Sequence, residues 1–304
     1  MMSNSWKITL PCTRAEAEAL DMEDFLPGAQ DIAPTLVTRR TDGDDDSNWL
    51  IEIYCDDKPD AAMLKQVGTL VPESDAEPQL EELPEEDWVT VSQQGLEPIR
   101  AGRFHVHTPD HDPSTEPGIY NIRIGAGQAF GTGHHETTAG CLTMLDHIRR
   151  SGARADTILD LGSGTGLLAF AAEHLWPRAY ITATDIDPVS VEVMGNNIVA
   201  NGLKSGMRQG EIAAIAADGM DDPLIEVRAP YQLIVANILA APLITLSEDI
   251  AAGLSPQGNL VLAGLMNHQA QDVLRAYRRQ GLRLAHKIVD GEWSILWLRK
   301  RPVV

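Results

Sequence analysis

After Ile119 the chain alternates two hydrophobic rhythms. Short apolar runs bounded by glycine, asparagine or aspartate read as strands, and longer stretches with apolar residues three and four apart read as helices. Strands are expected over Ile158–Leu161, Tyr180–Thr184, Ile212–Ala216, Tyr231–Asn237, Asn259–Gly264, Leu282–Val289 and Trp293–Arg299. Helices are expected over Leu167–Leu175, Pro188–Asn201, Pro242–Ala251 and Asn267–Gln280, with Gly202 and Gly253 as stops for the second and third. Such alternation predicts a doubly wound α/β sheet, which binds ligands at the carboxyl ends of its strands.

The first 75 residues carry a different pattern. Trp6–Leu10, Thr35–Arg39 and Asn48–Tyr54 read as strands, and Arg14–Phe25 and Pro59–Val71 as helices, the first capped by Thr13. TDGDDDSN, between the second and third strands, reads as a hairpin loop. This β-α-β-β-α order suits a small ferredoxin-like domain. Pro72–Asp87 has no apolar period and reads as a linker, followed by a junction over Trp88–Thr108. The expected division is residues 1–75 as a small α/β domain, 76–118 as linker and junction, and 119–304 as the doubly wound domain.

Candidate chemistry concentrates in TILDLGSGTG, residues 157–166, and in Asp185. A strand runs into Gly162, Gly164 and Gly166, and a helix follows directly. Glycine permits positive φ and close approach of a ligand, and the helix N-terminus adds free N–H groups. Asp185 ends the next strand, where a carboxylate can accept both hydroxyls of a ribose. The spacing is G-x-G-x-G, not the G-x-G-x-x-G that cradles a pyrophosphate, and Asp160 ahead of it would repel phosphate while suiting a cationic amino-acid ligand.

Two further stretches belong with it. NIRIGAGQAFGTGHHETTAGCLTML holds five glycines, four of them ahead of an apolar-periodic helix beginning near Glu136–Thr138; of Thr137 and Thr138, one is expected to cap that helix and the other to face the ligand. Asn237 ends a strand and precedes Ile238 and Leu239. A carboxamide oxygen and a neighbouring carbonyl there can accept two N–H groups of an amine and aim its lone pair at a methyl group. His105, His107 and His111 with Asp110 and Asp112 complete no ligand set of established spacing, and His135-Glu136 begins an H-E-x-x-H that ends in Ala139, so no metal is expected.

Charge changes the picture more than composition does. Of the formal net charge of −20 over 304 residues, residues 1–100 carry −16 and residues 101–304 carry −4. The excess of acid argues against nucleic acid as a direct ligand and favours a basic protein partner. Cys12, Cys55 and Cys141 are too few and scattered for a disulfide framework. The N-terminus lacks a charged n-region and apolar h-region, and Leu233–Leu246 is too short to span a bilayer. A cytoplasmic monomer without membrane attachment is expected.

AFGTGHHETTAGCL at 129–142, DLGSGTGLLAF at 160–170, TDIDP at 184–188 and VANILAAPL at 235–243, in this order, resemble the bacterial methyltransferases of large-subunit ribosomal protein eleven, the PrmA family. The resemblance covers residues 88–300. It departs at His134-His135-Glu136, where the family reads Thr-His, and at Ala263-Gly264-Leu265, where it reads Ser-Gly. It implies a seven-stranded Rossmann-like methyltransferase domain of class I and an N-terminal domain that grips the ribosomal protein. It also implies S-adenosyl-L-methionine as methyl donor. Thr138, Gly162, Asp185 and Asn237 would contact that donor, together with Gly164 of the glycine turn, and Asn237 would be the catalytic residue. The expected reaction is methylation of lysine, and also α-amino, nitrogens. The amine must first lose its proton, with solvent, His134, His135 and Glu136 as candidate acceptors. Two alternatives are a methyltransferase of this fold acting on a small amine or another protein, and a non-enzymatic acidic ribosome-assembly factor.

Overall fold

The computed structural model describes residues 5–13, 16, 35–40, 49–55, 58–71, 76, 78–83, 98–125 and 135–301. The chain divides into two compact units, Met1–Ser92 and Gln93–Val304. In the first, β1 (Ser5–Cys12), β2 (Thr35–Arg40), β3 (Trp49–Cys55) and β4 (Gln79–Leu83) form an antiparallel sheet in the order β2-β3-β1-β4. Period-two alternation gathers Ile8, Leu10, Ile51 and Ile53, which are closed to solvent and share a core with Val67 and Val71. Helix α1 (Ala61–Gly68) starts at Asp60, whose carboxylate accepts the Met63 N–H at 2.8 Å. Thr13 and Glu16 form a reciprocal capping box: the Thr13 hydroxyl accepts the Glu16 N–H, and the Glu16 carboxylate accepts the Thr13 N–H. The rest of the helix expected over Arg14–Phe25, and most of the hairpin loop, lie outside the described residues.

The stretch 72–87 is not wholly a linker, because β4 lies within it. An edge strand needs apolar residues on one face alone: Leu80 pairs with Ile8 and packs on the core, while Glu81 faces out to Lys7 at 3.0 Å. A single partly buried leucine on the inward face leaves no apolar period to read.

The second unit holds the seven-stranded sheet that the alternating pattern predicts. Its strands are β8 (Thr157–Leu161), β9 (Tyr180–Asp185), β10 (Ile212–Ala216), β11 (Tyr231–Asn237), β12 (Leu254–Met266), β13 (Leu282–Asp290) and β14 (Trp293–Lys300), in the order β10-β9-β8-β11-β12-β14-β13. β14 runs antiparallel to both its neighbours, and the other pairings are parallel. The strand order reverses between β8 and β11, which opens a crevice at their carboxyl ends. One face of the sheet is covered by α2 (His135–Arg150), α3 (Leu167–Leu175) and α4 (Pro188–Ala200), which supply Leu142, Phe170 and Ile198 to one core. The other is covered by α5 (Pro223–Arg228), α6 (Ala240–Thr245), α7 (Ser247–Gly253) and α8 (Ala270–Arg279), with Ile225, Leu243, Ile250 and Tyr277 in a second core.

Two details differ from the pattern. The helix expected over Pro242–Ala251 is two short helices that break at Leu246, a partly buried residue packed against Gly219. The junction forms a sheet of β5 (Ile99–Ala101), β6 (Phe104–His107) and β7 (Tyr120–Arg123). Phe104, Val106 and Ile122 of that sheet enter the same core as Leu142 and Phe170, so the junction belongs to the second unit. Among the described residues no helix is long and apolar enough to cross a membrane.

Candidate functional site

The glycine turn leaves β8 at its carboxyl end, with Gly162, Gly164 and Gly166 all at positive φ. Asp185, at the end of the neighbouring β9, closes on it. One carboxylate oxygen accepts the Gly164 N–H at 2.8 Å, and the other accepts the Asp187 N–H at 3.0 Å. The side chain is half-buried, and each oxygen keeps a lone pair for a further donor. Asp187 in turn caps α4, accepting the Val189 N–H at 2.9 Å. Asp185 is thus fixed by the same backbone it helps to shape.

Asp160 sits deeper, 1% exposed, and one oxygen accepts the Ala169 N–H at 2.9 Å in the first turn of α3. Burial pushes its carboxyl up to about 7, against the lowering effect of that N–H, and the nearby Asp185 charge raises it slightly.

On the other side of β8, Asn237 ends β11 in register with Ala263 of β12. Its Oδ1 is buried and has no hydrogen-bond partner among the described residues. A buried acceptor without a donor is costly, and is the state expected where a ligand N–H completes the bond. Ile238 anchors the segment. Its Cγ2 occupies the place that a Cβ on Gly162 would take, and its carbonyl occupies the place that a Cβ on Gly264 would take. Gly264, at φ +78°, lies where the β12–β14 register shifts, between Leu262 and Leu265. Two glycines, one in the turn after β8 and one in β12, thus hold Ile238, and with it Asn237. Leu239, next in the chain, is 64% exposed at the mouth of the crevice.

Gly162, Gly164, Asp185 and Asn237 therefore meet at the ends of three adjacent strands. Neither Thr137 nor Thr138 stands at the cap position of α2. The helix begins at His135, so Thr137 and Thr138 both fall inside its first turn, and both are buried. Residues 126–134, including His134 and most of the glycine-rich loop, lie outside the described residues; Glu136 is exposed. The junction histidines have local partners: His107 Nδ1 lies 2.9 Å from the Thr108 carbonyl, and His111 Nδ1 lies 3.0 Å from the Thr108 hydroxyl. Among the described residues no three His, Cys, Asp or Glu side chains group as a metal site. The pattern along the chain missed the Ile238 anchor. Its available signal was a glycine, Gly264, inside an otherwise apolar strand.

With this geometry goes a match to known proteins that runs nearly the length of the chain. Residues 8–301 match the family described as Ribosomal protein L11 methyltransferase (PrmA). The chain belongs to that family. A ribosomal protein L11 methyltransferase of Rhizobium etli (strain CIAT 652) is 38% identical over 295 residues, 96% of either chain. One of Agrobacterium fabrum (strain C58 / ATCC 33970) is 37% identical over 303 residues, 97% of this chain and 99% of its own. Among solved structures, a ribosomal protein L11 methylase from Lactobacillus delbrueckii subsp. bulgaricus aligns over 68% of this chain and 100% of its own. It shows 26% identity and a TM-score of 0.57. The likeness read over residues 88–300 thus extends into the first unit, whose sheet begins the family match.

Proposed function

We propose that this methyltransferase-family chain methylates lysine side-chain nitrogens, and the α-amino group, of ribosomal protein L11, with S-adenosyl-L-methionine as the methyl donor. The observation that supports this most is the match to the PrmA family over residues 8–301, spanning both units. The residues present fit the donor. Asp185 offers free lone pairs to a ribose, the turn at Gly162 and Gly164 lets a ligand approach the backbone, and Asn237 Oδ1 has no donor among the described residues. Thr138 is assigned to the same site through the family resemblance. When bound, the donor supplies an electrophilic methyl group on a sulfonium.

What the chain itself does is position and exclude. Asn237 Oδ1 accepts an amine N–H and fixes the direction of the nitrogen lone pair, a contribution of orientation. Ile238, held by Gly162 and Gly264, fixes where Asn237 stands. Leu239 gives the aliphatic stem of a lysine an apolar surface at the mouth. The amine, whose free pKa is about 10.4, reaches the site neutral after giving its proton to solvent. The acidic first unit captures the basic substrate, and the place of action is the cytoplasm, with the enzyme working as a monomer.

Purified ribosomal protein L11, incubated with the enzyme and methyl-labelled donor and then digested, tests the reading. Label on lysine and N-terminal peptides is expected. Label on other residue types, or on small amines alone, would replace it.

A further inference from the structure

Asn197, in the last turn of α4, is 2% exposed and uses both ends of its amide. Its Oδ1 accepts the Gly125 N–H at 2.8 Å, and its Nδ2 donates to the Thr165 carbonyl at 3.1 Å. Four residues on, at the end of the helix, Asn201 repeats the device on the same strand exit. Its Oδ1 accepts the Arg123 N–H at 2.8 Å, and its Nδ2 donates to the Arg123 carbonyl at 2.6 Å and to the Asn197 carbonyl at 2.8 Å. Gly125 fits closely here, since a Cβ on it would lie 3.1 Å from Asn197 Oδ1.

Thr165 lies between Gly164 and Gly166 in the glycine turn, and one helical turn before Asn197 the same face of α4 presses on that turn again. A Cβ on Gly166 would stand 2.6 Å from Met194 Cγ. The start of α4 is tied to the site as well, because Asp187 caps it and donates its N–H to Asp185, which accepts the Gly164 N–H. The path from Asp185 along α4 to Asn197, across to Thr165 and back through Gly164, closes on itself. Exposed asparagines are unremarkable, but a buried one must find partners for both ends. Here the partners are backbone groups of two separate segments that no regular secondary structure would otherwise satisfy.

We infer that Asn197, supported by Asn201, is a positioning residue for the nucleoside site. It sets the glycine turn against α4 and the exit of β7, and so holds the Gly164 N–H and the Asp185 carboxylate in the arrangement a bound ribose requires. The inference rests on the proposed use of S-adenosyl-L-methionine. Asn197 itself reaches the site through Thr165, so its loss acts on donor affinity and leaves the chemical step alone.

The test uses the full chain with Asn197→Ala, Asn201→Ala and, as a control, Asn259→Ala. Asn259 is also buried and accepts the Trp297 Nε1–H at 3.0 Å, midway along β12 and level with Leu233 near the start of β11, away from the strand ends that form the site. Loss of two hydrogen bonds at Asn197 should raise the Kd for S-adenosylhomocysteine and the KM for the donor by about tenfold. Asn201→Ala should shift both in the same direction by less. The kcat at saturating donor and acceptor, and the KM for ribosomal protein L11, should stay near wild type. Asn259→Ala should lower Tm with no change in Kd. Variants at 197 and 201 that lower Tm as Asn259→Ala does, yet bind S-adenosylhomocysteine like wild type, would overturn the inference. If Asn197→Ala fails to fold, Asn201→Ala decides by the same criterion. A wild-type protein that binds no S-adenosylhomocysteine would instead overturn the underlying donor assignment, and the inference with it.

Discussion

Asp185 and Gly164 stand 21 residues apart in the chain and are joined at 2.8 Å, carboxylate oxygen to backbone N–H. The residue proposed to hold the ribose is thus also the residue that shapes the turn beside it. Asp185→Ala removes charge-assisted hydrogen bonds worth about 1.5–3 kcal/mol each. Affinity for S-adenosyl-L-methionine and S-adenosylhomocysteine should fall about equally. Titration calorimetry checks this, and unchanged affinity for either ligand would refute the assignment.

Gly264 carries a second prediction, on the acceptor side. Alanine there meets the Ile238 carbonyl, a backbone group that cannot swing aside, in a left-handed conformation that costs an L-residue about 1–2 kcal/mol. Gly264→Ala should therefore lower Tm and reduce kcat, because relief of the contact displaces Ile238 and Asn237. Donor affinity should suffer less than kcat. A variant with wild-type kcat would show that Ile238 does not set the position of Asn237.

Asp160 makes a pH prediction. The unfolded carboxyl titrates near about 3.9, and burial pushes the folded one up to about 7. Between those values the folded protein keeps a proton that the unfolded chain has released, so rising pH works against folding across this window. Asp160→Asn keeps an oxygen for the Ala169 N–H and removes the titration. Its stability relative to wild type should rise between pH of about 4 and about 7 and level off above. Urea denaturation across that range gives the comparison, and a constant difference would contradict the buried-acid account.

The two units have separate cores, one drawn from residues before 81 and the others from residues after 98. A chain beginning at Gln93 should therefore fold and bind the donor. Residues 1–100 carry −16 of the net −20. Loss of most of this acid should abolish steered capture of intact ribosomal protein L11 while weak activity on a free peptide persists. Full-length association should weaken steeply with salt as the Debye length falls from about 10 Å at 0.1 M to about 3 Å at 1 M. Equal efficiency and equal salt dependence in the shortened chain would make the acidic unit a solubilising appendage.

The seven strands, the glycine turn and Asp185 were legible in the sequence because each leaves a local signature: apolar runs, glycines at fixed spacing, an acid closing a strand. What escaped depends on contacts between distant segments. β4 has one inward leucine, so its pairing with β1 rests on backbone hydrogen bonds that leave no pattern. The junction strands look too short to matter until Phe104 and Ile122 are seen in the second unit's core. Asn197 reads as an ordinary polar helix residue, and its meaning comes from Gly125 and Thr165, distant in sequence and adjacent in space. The cap expected at Thr137 or Thr138 shows the reverse error. A threonine near a helix start suggests a cap, but the helix begins earlier, at His135, and both threonines lie inside its first turn.

If Asn237 orients the amine, methyl transfer to ribosomal protein L11 depends on its carboxamide oxygen. Intact-mass analysis of purified, unmethylated ribosomal protein L11 after incubation with S-adenosyl-L-methionine tests it most directly. Wild-type enzyme should raise the mass in whole methyl increments. Asn237→Ala should bind the donor nearly as tightly as wild type and yet add methyl groups far more slowly. An unchanged mass with wild-type enzyme that binds the donor would contradict the account.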